Sequence, residues 1–79
     1  MIKILFFGEL ADAMDVREQN LPFVEGLTTQ KIRDDLAKKH PEAFAKIFAI
    51  ALNGKRLTDF SAILKKGDEL VFMPPFAGG

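Results

Sequence analysis

Few residues in this 79-residue sequence have side chains that could do chemistry, and their spacing excludes most of it. The one histidine, His40, stands directly before Pro41, where a helix is expected to end. A lone imidazole there reads as a surface group or a partner for the helix C-terminal dipole, not as a metal ligand or a general base. Ser61 is the one serine and has no evident base beside it to activate its hydroxyl. There is no cysteine, which excludes disulfides, thiolate metal sites and a cysteine nucleophile. No set of His, Asp and Glu has metal-ligand spacing, and Asp34 and Asp35 are neighbours on a helix that do not converge on one face. Gly8, Gly26, Gly54 and Gly67 are scattered at turns and are not grouped to cradle a phosphate. The basic pairs Lys38-Lys39, Lys55-Arg56 and Lys65-Lys66 read as solvated element ends first and as contacts for an acidic docking partner second.

What remains is the closing stretch "FMPPFAGG", Phe72 to Gly79. Pro74 and Pro75 cannot extend a hydrogen-bonded strand and stiffen the exit from it. Fully extended, the residues from Pro74 onward reach about 20 Å. Gly78 and Gly79 carry no side chain and can thread a channel too narrow for any other residue. A terminal glycine pair arises by chance about once in 200, given roughly 7% glycine usage. The sequence therefore points to a carboxylate presented at the end of a stiffened, flexible tail, residues 74–79.

The elements that must position that tail are read from periodicity. Ile2 to Phe7 reads as a strand, with Ile2, Ile4 and Phe6 toward a core and Lys3, Leu5 and Phe7 outward. Glu9 to Met14 can form one or two helical turns. Val16 to Leu21 reads as a weak edge strand stopped by Pro22. Thr28 or Thr29 caps a helix to about Lys39, with Leu27, Ile32, Leu36 and Ala37 as its apolar stripe. His40-Pro41 ends it, and Pro41 to Ile47 is expected to form a second short helix. "FAIALNGKRL" holds two strand-like runs around Asn53-Gly54, a preferred hairpin pair. A turn at Gly67-Asp68 leads to a final strand, Glu69 to Met73, with Leu70 and Phe72 on one face and Val71 and Met73 on the other. If the first and last strands are neighbours, Leu5, Phe7, Val71 and Met73 form one exposed apolar patch, the kind of surface that marks a partner site.

Composition agrees with one small domain spanning residues 1–79. Apolar residues make up 48% of the chain, with eight Phe, enough for a core without staples. Eleven basic and eleven acidic residues give a formal charge of zero, which disfavours nucleic acid as a partner. No apolar run approaches the roughly 20 residues of a membrane span. "MIKILFF" lacks a cleavage site behind it and reads as a strand, not a signal peptide, and a cytoplasmic location is expected. Strands with one principal helix indicate an α+β fold with the helix on one face of a mixed sheet, and this order suits a β-grasp, ubiquitin-like arrangement.

The start "MIKILFFGEL" and the end "GDELVFMPPFAGG" resemble the small, sulfur-carrying subunits of molybdopterin synthase, the MoaD family. The likeness runs through length, element order and both ends, and the Pro-Pro-x-x-Gly-Gly ending is its most specific part. The resemblance implies that the carboxylate of Gly79 is adenylated by an E1-like activating enzyme using ATP and converted to a thiocarboxylate. It implies docking on a large synthase subunit within a heterotetramer, Gly78 easing passage of the tail and sulfur passing to cyclic pyranopterin monophosphate in molybdenum cofactor biosynthesis. It implies a non-catalytic subunit with no tightly bound cofactor. By position, Phe7 and Met73 match apolar contact positions of the family, with Leu5, Val71, Pro75 and Phe76 nearby. Two positions depart from the family pattern: Ala11 stands where an arginine is frequent, and Met73 where an aromatic residue is common. Two other readings stay open, a sulfur carrier for thiamine or another pathway and a non-carrier ubiquitin-like interaction module.

Overall fold

The computed structural model describes residues 1–44 and 49–73. Its elements are β1 (Ile2–Phe6), α1 (Gly8–Met14), β2 (Glu18–Leu21), α2 (Thr29–Lys39), β3 (Ala49–Leu52), β4 (Lys55–Arg56) and β5 (Glu69–Met73). The strands form one five-stranded sheet in the order β2-β1-β5-β3-β4. β1 and β5 lie side by side and parallel at its centre, and the other pairings are antiparallel. This mixed sheet with a principal helix packed on one face is the β-grasp arrangement expected from the element order.

Alternation decides which residues form the core. Ile2, Ile4 and Phe6 on β1, Ile50 on β3, and Leu70 and Phe72 on β5 point to one face and are almost fully buried. Ile32 and Leu36, one helical turn apart on α2, close over that face, and Leu10 and Met14 of α1 join them in one cluster. Phe72 stacks on Phe6 with centroids 5.8 Å apart and meets Phe44 edge-on at 5.7 Å. Both are favoured aromatic geometries.

Local chemistry fixes the joints. Thr28 caps α2, its side chain accepting from the Lys31 N–H at 3.2 Å, which satisfies one of the helix's free donors. Thr29 is fully buried, and its hydroxyl donates to the Phe60 carbonyl at 2.6 Å, tying α2 to the loop before β5. Asn53 and Gly54 both take positive φ, 50° and 85°, as a two-residue hairpin turn of this hand requires. The Asn53 amide is locked there. It donates to Asp68 and accepts from the Glu69 N–H, both at 2.9 Å, so the hairpin turn is clipped to the start of β5.

Two expectations change, at the start of β2 and after α2, while the short helix after β1 forms as expected. β2 begins at Glu18, two residues later than the sequence suggested, because Val16 is exposed and residues 15–17 turn the chain out of α1. The region between β1 and β2 holds a two-turn helix, ended by Asp15 in the left-handed conformation at φ 61°, which aspartate tolerates. Residues 41–44 form turns where a second short helix was expected, and the remainder of that segment, 45–47, lies outside the described residues.

Candidate functional site

The sheet has two unlike faces. Opposite the core, the β1–β5 pairing places Leu5 directly across from Val71, and Lys3 across from Glu69. The β3–β5 pairing puts Ala51 opposite Val71 and Ala49 opposite Met73. One residue past the end of β1, the Phe7 N–H donates to the Phe72 carbonyl at 3.1 Å, so the next step of the register sets Phe7 beside Met73. The result is an apolar band across the three central strands, made of Leu5, Phe7, Val71, Met73, Ala49 and Ala51. Phe7 is 51% exposed, Leu5, Val71, Met73 and Ala49 are half-buried, and Ala51 is covered by its neighbours without joining the core cluster.

The outward set expected from strand alternation, Leu5, Phe7, Val71 and Met73, is thus brought together on one face. An outer sheet face open to water is ordinarily polar. This one is polar at the end where β5 begins, with Lys3, Glu69 and Asn20, and apolar at the end where β5 finishes. The apolar end therefore adjoins the point where the tail leaves the fold. Pro75, Phe76, Gly78 and Gly79 lie outside the described residues, as does the tail expected at residues 74–79.

Sequence reading missed the two alanines of β3. Their role as spacers follows once β3 is paired with β5, which no short-range pattern specifies. It also missed a cleft of about 530 Å³ beside Phe7, where β1 gives way to α1 and β2 begins. Leu5, Phe7, Ala11, Asp12 and Glu18 are among its walls. Ala11 is partly buried against the core and presents no more than a methyl group to this cleft.

No conventional active site appears among the described residues. No three His, Asp or Glu side chains are grouped to hold a metal ion. His40 is the C-cap of α2, its backbone N–H donating to the Leu36 carbonyl at 2.8 Å. Ser61 is engaged with Asp59: its hydroxyl and its N–H both donate to the Asp59 carboxylate, at 2.7 and 2.9 Å. Those bonds, the hydroxyl's first, hold the Asp59 carboxyl below the usual carboxylate range. This is an acid-stabilised turn, not an activated nucleophile. Among the described residues no helix is long and apolar enough to cross a membrane.

Known proteins match this arrangement along nearly its whole length. The molybdopterin synthase sulfur carrier subunit of Arabidopsis thaliana is 39% identical over 80 residues, which cover 99% of this chain and 82% of that protein. The protein of the same name from Chlamydomonas reinhardtii is 33% identical over 82 residues, covering 99% of this chain and 98% of that one. Among solved structures, a chain in the complex of subunits 1 and 2 of the molybdopterin-converting factor from Helicobacter pylori 26695 aligns with a TM-score of 0.72. It does so at 23% identity, covering 99% of this chain and 97% of its own, and so speaks to the shared fold. The ThiS family model matches residues 4–79, taking in the central strand pair, the apolar face and the glycine-ended tail, and the chain belongs to the ThiS family.

Proposed function

We propose that this protein is the sulfur carrier subunit of a molybdopterin synthase, with the carboxylate of Gly79 as the group that carries sulfur. The observation that supports this most is the 39% identity, over 99% of the chain, to a protein of that name. The physical reading agrees. The apolar band of the outer sheet face reaches Met73, which directly precedes the Pro74-Pro75 pair and the segment holding Gly78 and Gly79.

A carboxylate is a poor electrophile, so it must be activated before sulfur can enter. The Gly79 carboxylate oxygen attacks the α-phosphorus of ATP on an E1-like enzyme, and pyrophosphate leaves. A sulfur nucleophile at the oxidation level of sulfide then attacks the carbonyl carbon. The C–O bond to AMP breaks, AMP leaves with the electron pair, and a thiocarboxylate remains. Sulfur in this form needs no cysteine on the carrier. The apolar face then docks on the large subunit, Pro75 and Phe76 continue the contact beyond Met73, and Gly78 and Gly79 enter that subunit's active site. There the thiocarboxylate sulfur bonds to a side-chain carbon of cyclic pyranopterin monophosphate in place of an oxygen. Water cleaves the acyl C–S bond and returns the Gly79 carboxylate, and a second charged carrier supplies the second dithiolene sulfur.

Reconstitution tests this reading. The protein, an activating enzyme, ATP and a sulfide source are combined with the large subunit and the pyranopterin substrate. Dithiolene product is expected with the native chain and is expected to be lost on deleting Gly79 or on adding one residue after it. Product formation that survives both changes would remove the carrier role. Thiocarboxylate formation without dithiolene product would assign the carrier to another pathway.

A further inference from the structure

The register carries the outer face to both edges of the sheet. One transverse row runs Glu18 on β2, Leu5 on β1, Val71 on β5, Ala51 on β3 and Arg56 on β4. It has an acid at one end, three apolar residues in the middle and a base at the other. Both charged residues are exposed, and among the described residues no ion pair engages either of them. Four inter-strand steps of roughly 4.8 Å separate their backbones by about 19 Å. The other charges on this face, Lys3 and Glu69, stand opposite each other in the adjoining row and offset one another. The cleft beside Glu18 is also lined by Asp12 and Arg17, whose charges offset one another and leave Glu18 as the net charge of that end.

We propose that this row sets the orientation in which the docking partner is accepted. The partner is a protein surface with an apolar strip flanked by a basic side chain over the Glu18 end and an acidic one over the Arg56 end. The proposal rests on the reading of the apolar band as the docking face. Apolar contact between two bands is nearly non-directional, and rotating the partner half a turn in the plane of the sheet would bury similar area. A charge pair of opposite sign across that band distinguishes the two orientations, because the rotated one sets like charges against each other. It thereby keeps the tail, which leaves from one end of β5, pointing into the partner and not away from it.

The test is stopped-flow association with the large synthase subunit at low and high salt. Glu18→Lys and Arg56→Glu each change net charge by about two units at one end of the row. Asp34→Lys and Lys38→Glu make the same changes on the solvent side of α2, on the opposite face of the molecule. The row variants are expected to slow association about 3- to 10-fold at roughly 50 mM salt, the deficit shrinking to within about 2-fold at roughly 0.5 M. The α2 variants are expected to stay within about 2-fold of the native rate throughout. Row variants that associate at the native rate, or no more slowly than their charge-matched α2 counterparts, would overturn the proposal. Met73→Glu, run alongside, separates the two levels. If it abolishes binding while the row variants bind normally, the docking face stands and its polarity does not. If it also binds normally, the docking reading falls and the polarity with it.

Discussion

Neighbouring residues on β5 have opposite duties, and single substitutions can tell them apart. Phe72 is fully buried between Phe6 and Phe44. Phe72→Ala removes a core ring and is expected to destabilise the fold by about 3–5 kcal/mol, read from denaturant unfolding. Met73, one residue on, faces outward beside Ala49 and is half-buried. Met73→Glu is expected to change stability by about 1 kcal/mol or less. It would also weaken partner binding about 100-fold or more, because an unpaired carboxylate would be trapped in an apolar contact. A Met73→Glu protein that unfolds like Phe72→Ala would mean the two residues share the core. The acid side of the pH profile is testable at the same scale. The Asp59 carboxyl titrates below its ordinary value because the folded state bonds its charged form. Its contribution to stability is therefore complete above the unfolded-state value of 3.8 and is lost as pH falls through the lower folded value. Ser61→Ala removes the hydroxyl bond and leaves the backbone one, so the Asp59 titration, followed by NMR, is expected to move only part of the way back toward the ordinary carboxylate range.

Elements were legible in the sequence where a local rule and the tertiary fold agree. α2 and β5 were read with nearly their observed bounds, since Ile32 and Leu36 lie one turn apart and Leu70 and Phe72 alternate. The Asn53-Gly54 turn was legible because few residue pairs accept positive φ twice in succession. The clip between that turn and β5 was not legible, since Asn53 and Asp68 are distant in sequence and meet only in the folded sheet. Asn53→Ala is expected to destabilise the protein by about 2 kcal/mol, losing two side-chain hydrogen bonds and a residue tolerant of positive φ. Hydrogen exchange should rise first at the Glu69 amide, which Asn53 holds. Thr29 was read as one of two possible caps. It is instead a buried strut to Phe60, a role that depends on how the irregular stretch between β4 and β5 packs. That stretch contributes Leu57, Phe60 and Leu64 to the core without a period that a sequence pattern could reveal. The start of β2 was misplaced for the related reason that Val16, apolar in type, is left exposed by the turn out of α1.

At the scale of the molecule, the fold acts as a holder. Its central parallel pair has one side in the core and the other in an apolar band, and that pair ends where the tail begins. The described residues place neither a metal set nor an activated nucleophile beside it. On the proposed carrier reading, the chemistry belongs to the Gly79 carboxylate and the residues before it present that group. The most direct test is an intact-mass spectrum of the protein after incubation with its activating enzyme, ATP and a sulfide source, with fragmentation to locate any change. Replacement of one terminal oxygen by sulfur is expected, confined to the C-terminal fragment that contains Gly79 and absent when Gly79 is deleted. An unchanged mass with a competent activating enzyme, or sulfur found elsewhere in the chain, would contradict it.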